Sequence, residues 1–119
     1  MDNNKVIKQI ELELHQIEKL IETHKLLIKK CKNEVPGVVE ISALAAFLHS
    51  YYTGIENIFK RIIVEFNESL KKDGYWHKEL IDIMTVPTKK RPAVISKEIR
   101  EEIVKYLEFR HFFSPGIYL

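Results

Sequence analysis

The stretch KVIKQIELELHQIEKLIETHKLLIKKCK, residues 5–32, decides the fold class. Ile7, Ile10, Leu14, Ile17, Ile21, His24, Ile28 and Cys31 follow one another in steps of three and four. That spacing places them on one face of a helix, a seam held for more than three heptads. Leu20 and Leu27 widen the seam into a core-facing stripe. Glu11, Glu13, Glu18 and Glu22 come early, and Lys25, Lys29, Lys30 and Lys32 come late. This is the order that a helix dipole favours. The spacing predicts one helix over 4–32, ~43 Å long at ~1.5 Å per residue, closed by the turn Pro36-Gly37.

Downstream, Leu44, Phe47, Leu48, Tyr51, Ile55, Ile58, Phe59, Ile62, Phe66 and Leu70 mark the buried side of a second helix over 40–72. Asp73-Gly74 is expected to stop it, glycine being favoured just past a helix end. Gly54 lies mid-helix at a cost of ~1 kcal/mol relative to alanine; either another backbone approaches there or the cost is tolerated. A short third helix is expected over 76–84, with Leu80, Ile83 and Met84 inward. Residues 85–95 read as a loop holding Pro87, Lys89-Lys90-Arg91 and Pro92. Ser96 is a good N-cap for a fourth helix, which Ser114-Pro115-Gly116 must break. No β-type alternation persists. The expected fold is all-α, an antiparallel up-down bundle of four to five helices, in a single domain over 1–119.

Composition agrees. The 119 residues are 45% hydrophobic and 30% charged, a globular balance. No apolar run approaches the ~18–20 residues of a membrane helix, so no membrane partner is expected. The N-terminus lacks a signal-peptide core, which points to the cytoplasm. One cysteine, Cys31, excludes an internal disulfide and reads as a small buried hydrophobe. The net charge is +2, with the basic surplus in the C-terminal part: ten Lys+Arg against seven Asp+Glu over 71–119. Solvated lysine on a helix face is the ordinary meaning of such a surplus; phosphate contact is the functional one.

No P-loop, GxGxxG, HExxH or nucleophile elbow is present, so no cofactor is expected. The histidines lack ligand spacing, so no metal is expected either, and His24 on the seam reads as a packed histidine. The distinctive segment is YLEFRHFF, 106–113, where Arg110 and His111 stand inside an aromatic run. Periodicity alone reads it as a packed C-terminal helix whose cations favour its negative end.

Several segments together resemble one family. They are the long first helix, FLHSYYTGIENIFKRI at 47–62, YWHKELIDIM at 75–84, RPAVIS at 91–96 and YLEFRHFF at 106–113. The chain resembles HEPN-domain proteins, specifically the HepT-like ribonuclease toxins of toxin–antitoxin systems. The resemblance implies a homodimer that juxtaposes two motifs in one cleft. It also implies metal-independent RNA cleavage and a nucleotidyltransferase-type antitoxin as partner. In that family an arginine is followed after four residues by a histidine and, one residue later, by a tyrosine. Arg110 matches the arginine. Pro115 and Ile117 stand at the other two positions, with Tyr118 one place late as the nearest candidate for modification by AMP.

The departure bears on the chemistry. Deprotonating a ribose 2′-hydroxyl suits a histidine, and gripping the phosphate suits an arginine fork. Proline cannot transfer a proton, so much reduced or absent ribonuclease activity is expected. His111 lies ~100° round the helix from Arg110 and reads as packing or RNA contact. Glu56 is a polar group on a mostly apolar helix: it pairs with Arg110, orients a substrate, or lies on a solvated face. Trp76-His77 reads as an anchor of the short helix rather than a catalytic part. Tyr51 and Tyr52 read as core or interface packing, with base stacking the functional alternative. Lys89, Lys90 and Arg91 are candidate RNA contacts against a default of solvated charge. The rival function is a non-catalytic module that partners a nucleotidyltransferase or presents its substrate.

Overall fold

The computed structural model describes residues 3–70 and 76–113; at 3 and 109–113 it gives the helical backbone alone. Among the described residues five helices appear in chain order: α1 (Asn3–Thr23), α2 (Lys25–Asn33), α3 (Val38–Glu65), α4 (Trp76–Met84) and α5 (Lys97–Phe113). There is no strand among the described residues, and the fold is the all-α bundle that the periodicity demands.

The single rod expected over 4–32 is in fact two helices. The break is at His24, whose φ of −102° and ψ of 15° leave the helical region. Its N–H is shared between Leu20 O at 3.1 Å and Ile21 O at 3.2 Å. Two side chains compete for carbonyls in the same turn. Thr23 Oγ1 donates to Lys19 O at 2.8 Å, and His24 Nδ1 bonds Leu20 O at 2.9 Å. Back-bonding of this kind bends helices. His24 is half-buried against Phe47, with ring centroids 5.1 Å apart.

The seam is also split. Ile10, Ile17, His24 and Cys31, with Leu20 and Leu27, are buried or half-buried. Ile7, Leu14 and Ile21 are 50%, 44% and 40% exposed. The reason is geometric: α1 packs mainly along the single helix α3, which covers a narrower arc than the heptad pattern supplies. The two helices run antiparallel, since Glu13 meets Arg61 and Ile17 meets Gly54. A Cβ at Gly54 would lie 2.9 Å from Ile17 Cγ1. The glycine therefore admits a neighbouring side chain rather than a neighbouring backbone.

At the α2–α3 elbow, the Glu40 carboxylate accepts the Gly37 N–H at 2.7 Å and pairs with Lys30. Lys30 first, and then the Gly37 N–H, hold Glu40 below the usual carboxylate range. A depressed carboxylate stabilises the fold above that range, and the contribution is lost as pH falls through it.

α3 ends at Glu65, earlier than the expected Lys72. Asn67 adopts the left-handed region with φ 58°. The Glu68 N–H donates to Ile63 O at 2.9 Å and the Asn67 N–H to Val64 O at 3.2 Å. These are the two bonds of a Schellman stop, with asparagine in the place glycine usually takes. Asp73-Gly74, the expected stop, lies outside the described residues.

α4 occupies the centre. Leu80, Ile81 and Met84 are fully buried, and with Phe59, Ile63 and Ile103 they form the main core. α5 returns antiparallel to both of its neighbours: Arg100 Nε donates to Asp82 Oδ1 of α4 at 2.6 Å, and Tyr106 stacks on Tyr52 of α3 at 3.9 Å.

Candidate functional site

The site is built where α3, α4 and α5 converge. Ser96 starts α5: its Oγ accepts the Ile99 N–H at 3.2 Å. The Asp82–Arg100 pair then fixes the register of α5 on α4. Ile103 and Tyr106 are buried, and Leu107 packs against the core cluster. Burial first, then Tyr51 and Glu102, push the Tyr52 phenol above its ordinary value, so it is a neutral O–H at pH 7. Its ring is stacked on Tyr106 at an interplanar angle of 12°, and Tyr51 meets it edge-on. These tyrosines are therefore internal packing.

Arg110 falls four residues after Tyr106 and three after Leu107, in the last turn of α5. Helical geometry puts its position on the inward face that these residues define. His111 follows about 100° round. The side chains of both lie outside the described residues, as do Pro115 and Tyr118 altogether.

Glu56 does not lie on a solvated face. It is 7% exposed, and its Oε2 bonds His77 Nδ1 at 2.6 Å. A carboxylate taken out of water needs such a partner. Trp76 adds a second constraint, its ring centroid lying 3.6 Å from that of His77. Lys60 Nζ sits 4.5 Å from the centroid of the same indole, at cation–π distance. Trp76 and Leu107 both pack against the core cluster.

Arg91 is not an available RNA contact. Its side chain is 3% exposed, and all five N–H donors are engaged. Nε and Nη2 grip the two oxygens of Glu68 at 2.7 Å each. Nη1 donates to Val86 O and Pro92 O, and Nη2 also donates to Ile83 O. The hydrogen bond that Arg91 donates to Glu68 raises the Arg91 pKa further above its ordinary value. Lys89 and Lys90 of the same run are exposed. Among the described residues, no group of three or more His, Cys, Asp or Glu is placed to hold a metal. No helix among them is long and apolar enough to cross a membrane.

A family model for HepT-like proteins matches residues 43–118, from the start of the second long helix through the Arg110 segment. The chain belongs to the HepT-like family. Neither the curated proteins nor the solved structures gave a match. In this HepT-like chain the matched span holds the whole convergence of α3, α4 and α5. It includes Glu56, His77 and Arg110, while α1 and α2 lie outside it. His77 as the partner of Glu56 was not legible locally, because the two are 21 residues apart on different helices.

Proposed function

We propose that this HepT-like protein is the toxin component of a toxin–antitoxin pair, acting on RNA in the cytoplasm as a homodimer. Its partner is a nucleotidyltransferase-type antitoxin, and Tyr118 is the nearest candidate for AMP modification. The observation that carries the reading is the register of Arg110. It stands at the family's motif position, on the face of α5 that carries Ile103, Tyr106 and Leu107. A guanidinium there supplies a permanent two-pronged donor for a phosphodiester. The reaction is metal-independent: a ribose 2′-oxygen attacks the adjacent phosphorus and expels the 5′-oxygen. Pro115 removes the motif histidine, so cleavage is slow. That same substitution supports the rival reading of a binding module for the nucleotidyltransferase.

Incubating the purified chain with tRNA and mRNA in the presence of a chelator tests the reading. Pro115→His is expected to speed cleavage about 100-fold, within the range of general acid–base catalysis. Arg110→Ala is expected to abolish cleavage in both backgrounds. Robust cleavage by the unaltered chain that survives Arg110→Ala would sink it. Expression of the Pro115→His chain alone should slow growth, whereas the binding-module reading predicts unaffected growth.

A further inference from the structure

Cations gather where the start of α1 meets the end of α3. Because the two helices run antiparallel, Lys5 of α1 and Lys60 and Arg61 of α3 line one groove of about 650 Å³, together with Gln9, Glu13 and Asn57. That volume is in the range of small-molecule sites. Three cations face one carboxylate in the lining, a net charge of +2. Arg61 contrasts with Arg91. Its Nη2 reaches Glu13 Oε1 only at 3.5 Å, longer than an ordinary N–H···O bond. Its Nε is covered and has no hydrogen-bond partner among the described residues. A covered donor of this kind calls for an acceptor, and a guanidinium whose fork is unfilled suits a two-oxygen anion. Lys60 Nζ rests 4.5 Å from the Trp76 ring centroid, which holds the ammonium without engaging all of its protons. Lys5 is exposed. Gln9 and Asn57 are half-buried amides, able both to donate to hydroxyl groups and to accept from them.

We propose that this groove binds a small hydroxylated phosphate monoester, of the sugar-phosphate class; the inference goes beyond the RNA reading and does not depend on it. The charge selects the ligand. A phosphate monoester carries about −1.5 to −2 at pH 7, which the net +2 of the lining balances. A backbone phosphodiester carries a single negative charge. Arg61 grips two phosphate oxygens, Lys5 and Lys60 neutralise the third, and Gln9 and Asn57 take the hydroxyls. Glu13 opposes the anion, and its long contact with Arg61 leaves the rest of the fork to the ligand. Among the described residues no aromatic side chain lines the groove, so nothing there stacks a base. Half of the site comes from α1, which lies outside the span matched by the family model.

The test titrates ribose 5-phosphate into the isotopically labelled full chain and follows the arginine Nε–H resonances by NMR. The Arg61 signal is expected to shift. The Arg91 signal is expected to stay in place, since that Nε already donates to Glu68 at 2.7 Å. Inorganic phosphate should bind more weakly than ribose 5-phosphate, and ribose should leave the spectrum unchanged. Arg61→Gln is expected to weaken binding about tenfold or more. Lys5→Gln, at an exposed position, is expected to weaken it about threefold and carries the comparison if Arg61→Gln fails to fold. Glu13→Gln, which removes the opposing charge, is expected to tighten it about threefold. An Arg61 signal that ribose 5-phosphate leaves unmoved would overturn the inference, as would binding indifferent to Arg61→Gln and Lys5→Gln. Inorganic phosphate binding as tightly as ribose 5-phosphate would overturn the part given to Gln9 and Asn57. An oligoribonucleotide without terminal phosphates that displaces ribose 5-phosphate and binds the groove more tightly would overturn the monoester assignment and make the groove an RNA contact.

Discussion

Arg91→Ala is expected to lower the unfolding free energy by about 3–5 kcal/mol, the cost of breaking a buried, fully bonded ion pair. The guanidinium is the hub of the 85–95 connector. It holds both Glu68 oxygens and the carbonyls of Ile83, Val86 and Pro92. Alanine would leave the Glu68 carboxylate in a mostly covered place without its partner, and three carbonyls without their donor. Lysine keeps the charge but not the five-donor fork, so Arg91→Lys should lose a large part of the same energy. The contrast is Lys105–Glu102, where both side chains are about seven-tenths exposed; Lys105→Ala should change stability by less than ~0.5 kcal/mol. Urea denaturation followed by helical ellipticity reads both changes. A loss below ~1 kcal/mol for Arg91→Ala would show that the connector is held in some other way.

The second large effect belongs to the centre of α4. Leu80→Ala should cost about 3–4 kcal/mol, within the range for truncating a large aliphatic side chain in a core. Leu80 is enclosed by three helices, with no solvent-facing side to collapse into. Ile81 is equally buried although it is adjacent in sequence and ~100° away round the helix. Both arcs of α4 are therefore covered, so Ile81→Ala should cost a comparable amount. Thermal melts should fall by on the order of 10 °C for each variant. A shift of one or two degrees would place α4 at the surface and break the account of the core.

The sequence was informative wherever the signal is local. The span of α4 and the Ser96 cap of α5 follow from a few neighbouring residues. The end of α3 was hidden because Ile62, Phe66 and Leu70 continue its i, i+4 apolar spacing past the true stop. That stop depends on asparagine, rather than glycine, entering the left-handed region. The break at His24 was hidden by a histidine that sits on the seam yet bonds its own helix's carbonyl. Ile81 was missed because a one-faced pattern cannot show that a short helix is covered on two sides.

The site divides in the same way. Arg110 was legible as a motif residue in a recognisable run. Arg91 read as part of a basic loop, because its acceptor, Glu68, is 23 residues away in sequence. The partnership of Glu56 with His77 needs α3 and α4 to lie side by side, which no single helix pattern states. Ile7, Leu14 and Ile21 show the reverse: a full heptad pattern in the sequence, of which α3 covers only part.

A structure of the full chain bound to a dinucleotide with a 2′-deoxy sugar, which cannot be cleaved, tests the central claim most directly. The expected result is a bridging phosphate held by the Arg110 guanidinium. A phosphate held by Lys89 and Lys90 alone, away from the last turn of α5, would contradict it.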